Sequence, residues 1–165
     1  MELKKHFSVR KLLIFVYFMA FGIYLAVGFM PVEATAEGSG FSKMVIPGID
    51  LVSDVMAVDL EEGKLNTPDY IIGSYSPGYN NVFLFGHSST VFTNLNKVSL
   101  NDSIYYDGQF YRVKSIEVLP KSEVKMNELI GSTDVETLSI MTCAGEYYDN
   151  GDSSHRLIVI AVVDK

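Results

Sequence analysis

The chain has 165 residues and one cysteine, Cys143. A lone thiol makes no intrachain disulfide, so the fold rests on its core alone. Cys143 is either an inert buried residue, an intermolecular link or a working thiol. Tryptophan is absent, and only five prolines are present. Basic residues are scarce as well, 13 against 20 acids. Four of the 13 fall within the first eleven residues, so residues 31–165 carry a net charge of about −10. That balance excludes a nucleic-acid binder and a module that docks on anionic headgroups. Ten tyrosines and ten phenylalanines exclude a disordered chain.

Only one stretch lacks charge altogether. Residues 12–30, "LLIFVYFMAFGIYLAVGFM", hold no charged residue and come after Lys4, Lys5, Arg10 and Lys11. At ~1.5 Å per residue this helix spans about 28 Å, near the thickness of a bilayer's hydrocarbon core. It is apolar on every face, unlike an amphipathic core helix. The basic flank, residues 1–11, keeps the N-terminus cytoplasmic and sends residues 31–165 across the membrane. "ATA" at residues 34–36 offers a signal-peptidase site. However, 19 apolar residues exceed the ~7–15 of a secretory h-region. An uncleaved signal anchor is therefore the expectation, with a single-pass membrane location and an extracytoplasmic C-terminal domain.

Residues 31–42 are small and polar and read as a tether. Residues 43–165 are long enough for one domain with a substantial core. Helical periodicity is missing there. Short β-rich runs alternate with turn residues: "KMVIPGIDLV", "NNVFLFGHS", "SIYYDGQFYRVKSIEVL", "VETLSIMTC" and "RLIVIAVV". Asp107-Gly108 signals a hairpin, since both residues tolerate positive φ. Residues 157–163 are continuously apolar, as in a strand covered on both sides. Many short strands without a βαβ rhythm predict a mainly β domain, a closed barrel or a sandwich. Short helices are expected at 68–73 or 95–100, and at 123–130.

Cys143 closes the apolar run "LSIMTC", where the loop "AGEYYDNGDSS" can leave its thiol open to a groove. A thiol attacks a carbonyl carbon as the thiolate, so it needs a neighbouring proton acceptor or cation. Burial as a small hydrophobe is the competing reading. Of three histidines, His6 lies on the basic flank and His155 in the polar loop before the last strand, where it reads as an exposed loop residue. His87 caps "VFLFGH"; Gly86 before it permits close backbone approach, and Ser88-Ser89 after it offer hydroxyls rather than apolar cover. Arg156 opens "LIVIAVV" on the same face as Ile158 and Ile160. It either pairs with Glu146, Asp149 or Asp152, or serves as a site cation that stabilises a thiolate or an oxyanion.

A strand-end histidine, a strand-end cysteine and a strand-start arginine, in that order in an exported β domain, resemble the sortase family. "FGHSSTVFTNL" is similar to the family's "GH" strand end. "SIMTC" is similar to its TLxTC signature, with Ser139 and Ile140 replacing Thr and Leu. "HRLIVIA" is similar to its arginine-led last strand. "VIPGIDL" and "DSIYY" fit further family strands. The likeness covers residues 44–165.

The resemblance implies a closed eight-stranded β-barrel acting as a cysteine transpeptidase. Such enzymes cut a C-terminal sorting signal resembling LPxTG after its threonine and hold a thioester. They pass the product to an amine of a cell-wall precursor or a pilin lysine. On this chain the resemblance makes Cys143 the nucleophile, His87 the acid/base and Arg156 the stabilising cation, with Thr142 shaping the site. It implies no cofactor. Some relatives bind calcium, and Glu61, Glu62, Glu123 and Asp134 are acids without a ligand spacing that commits to a site. The compact stretch at residues 120–133 favours a small single-domain type. Two alternatives stay open: a cysteine peptidase in which water resolves the thioester, and a non-catalytic membrane-tethered β-barrel that binds peptide or polysaccharide.

Overall fold

The computed structural model describes residues 42–149 and 151–164. The expected flank, membrane segment and nearly all of the tether, residues 1–41, lie outside the described residues. No helix among the described residues is long and apolar enough to cross a membrane.

Among the described residues ten strands follow in chain order: β1 (Ser42–Ile46), β2 (Leu51–Ala57), β3 (Leu60–Glu61), β4 (Lys64–Leu65) and β5 (Ile72–Tyr75) come first. β6 (Asn81–Phe85), β7 (Ser103–Tyr106), β8 (Gln109–Pro120), β9 (Thr137–Tyr147) and β10 (Ser153–Val163) complete them. Eight close a barrel in the order β1-β2-β5-β6-β9-β10-β8-β7, and β3-β4 form a separate hairpin. The expected closed eight-stranded barrel is therefore present. It is mixed: β2 with β5 and β6 with β9 pair in parallel, and the other barrel pairs are antiparallel.

Local chemistry sets the turns. Asp107 and Gly108 both take positive φ, 47° and 84°, and join the paired residues Tyr106 and Gln109 as their sequence predicts. Strand alternation then sorts the apolar residues into two layers. Met44, Ile46, Leu84, Leu138, Ile140, Leu157, Val159 and Ala161 fill the barrel. Phe83, Phe85 and Ile158, with Met141 and Ile160, face outward and are covered by Leu65, Leu119, Val124, Leu129 and Ile130. The central strands are thus buried on both faces, which explains their unbroken apolar runs. The Phe83 and Phe85 rings stack with centroids 5.4 Å apart.

The helix expectations hold only in part. Residues 68–73 form no helix; they lead into β5. Residues 95–100 give only the 3-10 turn Leu95–Lys97. Near 123–130 lie the 3-10 turn Lys121–Glu123 and one helical turn, α1 (Met126–Leu129).

Candidate active site

Cys143 lies on the outward face of β9, two residues beyond Met141, and it is half-buried. The strand does not stop at the thiol. β9 runs on to Tyr147, and β10 already starts at Ser153. Cys143 is therefore held inside a ladder, directly opposite Arg156, and not at a strand end as its sequence suggested. His155 is likewise a strand residue, paired with Ala144 beside a register shift, and not part of a loop. Its Nδ1 is 2.8 Å from Ser154 Oγ.

His87 lies two residues past the end of β6. Its carbonyl accepts from the N–H groups of Thr90 and Phe92, at 3.3 and 3.0 Å, which fixes the turn that presents the ring. Gly86 is required there, because a Cβ would lie 2.5 Å from Val91 Cγ1 and 3.1 Å from the buried Phe92 ring. Thr142 Oγ1 donates to the Gly86 carbonyl at 2.8 Å and is itself buried. The residue before the thiol thus ties β9 to the residue before the imidazole. At the rim, Ser88 Oγ and Tyr147 OH approach to 2.5 Å.

These elements border one groove of about 440 Å³. Its lining joins the apolar Tyr75, Phe83, Phe85, Met126, Ile130 and Met141 with His87, Thr142, Cys143 and Arg156. The four residues singled out in the sequence therefore all border this groove, Thr142 from the buried, inward-facing position next to the thiol, and His155 does not. A larger depression of about 570 Å³, beside Asp50, Tyr70, Thr90 and Asn94, is lined by no cysteine, histidine or cation. A thiol, an imidazole and a guanidinium along a peptide-sized cleft are the groups on which thiol-based acyl transfer draws.

Arg156 is only 13% exposed and heavily bonded. Nη1 donates to the Ser153 carbonyl, to Ser153 Oγ at 2.8 Å and to the His155 carbonyl at 2.9 Å. Nη2 donates to Asp152 Oδ1 at 2.9 Å. Of the three acids considered as partners, Asp152 is the one engaged. Its other oxygen, Oδ2, pairs with Lys121, and Oδ1 also accepts from the Ser153 N–H at 2.8 Å. Lys121 first, then Arg156 and that N–H, hold the Asp152 carboxyl far below the usual carboxylate range.

Sequence reasoning missed Asn81 and Lys121. Buried Asn81 donates from Nδ2 to the carbonyls of Leu129 and Gly131, both at 2.8 Å, and accepts from Ser139 Oγ at 3.1 Å. It anchors the segment that carries Met126 and Ile130 over the groove. A polar residue opening the apolar run "NVFLF" was the available signal.

Among the described residues, no group of three or more His, Cys, Asp or Glu is placed to hold a metal ion. Glu61, Glu62, Glu123 and Asp134 are exposed, and they do not converge on one another.

A family model for the sortase domain matches residues 44–164. The chain belongs to the sortase family. Among solved structures, a lid mutant of sortase A from Corynebacterium diphtheriae is similar, with TM-score 0.60 and 25% identity, over 87% of this chain and 80% of that one. Sortase C from Clostridium perfringens gives 0.56 and 22%, over 78% and 72% of the two chains. Listeria monocytogenes sortase A gives 0.58 and 18%, over 77% and 89%. The last two, at their low identity, bear on the fold alone. No curated protein matches the chain. The sortase family is one of cysteine transpeptidases, and this member has one cysteine to offer, in the groove.

Proposed function

We propose that this sortase is a membrane-anchored transpeptidase that processes a C-terminal sorting signal resembling LPxTG. The Cys143 thiolate adds to the carbonyl carbon of the signal's threonine. Arg156 stabilises the resulting oxyanion, and His87 protonates the amine that leaves as the peptide bond breaks. The thioester on Cys143 is then attacked by an amine of a cell-wall precursor or a pilin lysine, and His87 takes up the proton released. Thr142 keeps the thiol-bearing strand and the histidine turn in register. No cofactor enters these steps. The segment at residues 12–30 anchors the chain, with the barrel outside the membrane and an acidic surface unsuited to nucleic acid.

The observation that carries this reading is that Cys143, His87 and Arg156 line one largely apolar groove, within a sortase domain. The test is incubation with a sorting-signal peptide, with and without an added amine. An amine-linked product is expected. Cys143→Ala should abolish turnover with the fold intact. His87→Ala and Arg156→Ala should each lose orders of magnitude, because the three act as one chemical unit. His155→Ala should change little. Hydrolysis indifferent to every amine would make the protein a cysteine peptidase. A Cys143 inert to alkylation would make it a binding module.

A further inference from the structure

Arg156 opposes Cys143 on one side of β10 and Leu119 on the other. Its Nη1 is saturated by oxygens of β10 itself, and Nη2 gives one N–H to Asp152. Nε–H and the second N–H of Nη2 have no acceptor among the described residues. Arg156 borders the groove, so these are the two donors left for a ligand there, and the Asp152 bond, with those of Nη1 to β10, holds the plane of the guanidinium. An isolated guanidinium–carboxylate pair has a second property, however. Its charges sum to zero, and a neutral pair is a poor stabiliser of a developing oxyanion. Lys121, the first residue past β8, sits on the opposite oxygen of the same carboxylate. The three groups together carry one net positive charge.

We propose that Asp152 and Lys121 are positioning residues for the transpeptidation step: Asp152 aims the Arg156 guanidinium, and Lys121 offsets the carboxylate so that Arg156 keeps its charge toward the groove. This rests on the proposed role of Arg156 at the oxyanion. Lys121 acts through Asp152, since its side chain is 54% exposed and its field through water is screened. It touches no substrate and takes no proton.

The experiment is a double-mutant cycle on the full chain with a sorting-signal peptide and a fixed amine. It reads kcat and KM separately, with Tm as the control for folding. Asp152→Ala lowers kcat about 10- to 100-fold, the range for loss of a charge-assisted hydrogen bond, with KM nearly unchanged. Lys121→Met lowers kcat about three- to fivefold, as an exposed ion pair allows, and Lys121→Arg restores it. In the Asp152→Ala background, Lys121→Met has no further effect, because the carboxylate it offsets is gone. The Lys121 loss fades in high salt.

Equal effects of Lys121→Met with and without Asp152 overturn the proposal, as does unchanged or raised kcat in Asp152→Ala. Losses that track a fall in Tm overturn it too, in favour of a structural role. A wild-type chain that processes no sorting peptide overturns the transpeptidase reading and this inference with it. Turnover without the coupling overturns this inference alone.

Discussion

Thr142 joins two tasks in one hydroxyl. It fills a buried position beside Ile140 and Leu157, and it supplies the donor for the Gly86 carbonyl. Valine keeps the shape and removes the bond, leaving a buried acceptor unpaired at a cost of about 1–3 kcal/mol. Thr142→Val should therefore lower stability by that amount in urea denaturation, and turnover should fall as the histidine turn loosens. Thr142→Ser should preserve both. Full activity in a destabilised Thr142→Val protein would confine Thr142 to the fold. At this scale the sequence was informative where chemistry is rare: one thiol, three histidines, one arginine ahead of an apolar strand. It was silent where the signal depends on partners distant along the chain. Lys121 and Asp152 are 31 residues apart and meet only because β8 and β10 pair.

The elements were legible in proportion to how much of them is buried. β6, β9 and β10 are covered on both faces, so their apolar runs stand out. β5 is four residues long and contains Gly73, which reads as a turn. The structure requires that glycine, since a Cβ there would meet the Phe85 ring at 2.6 Å. The helical turns failed for the opposite reason. α1 spans four residues and is held by tertiary bonds, not by its own propensity. Asn81 is its main polar tie to the barrel, through the carbonyls of Leu129 and Gly131. Asn81→Ala strands those two carbonyls and should cost at least the ~1–3 kcal/mol of one unpaired buried group. Amide exchange should accelerate across residues 126–133 while β9 and β10 stay protected. Acceleration spread evenly over the barrel would show that Asn81 serves global stability instead.

For the molecule as a whole, closure of the barrel joins parts of the chain that the sequence order separates. The parallel pairing of β6 with β9 brings residues 81–85 against 137–141, and the β9–β10 ladder adds Arg156. One groove is thereby lined by a histidine, a cysteine and an arginine from three strands' worth of chain. The closed architecture was legible from the rhythm of short strands together with the family resemblance; its mixed pairing was not, because parallel and antiparallel neighbours leave the same apolar pattern. The outer apolar layer, built from the β3–β4 hairpin and α1, gives the groove its second side. In the proposed reaction Cys143 forms an acyl bond within this groove. The decisive measurement of that bond is intact-protein mass during turnover of a sorting-signal peptide, with no amine added. An adduct of the peptide's acyl half on Cys143 is expected, removed by hydroxylamine and absent in Cys143→Ala. Turnover of the peptide with no adduct, or with an adduct that survives in Cys143→Ala, would rule out acyl transfer through this thiol.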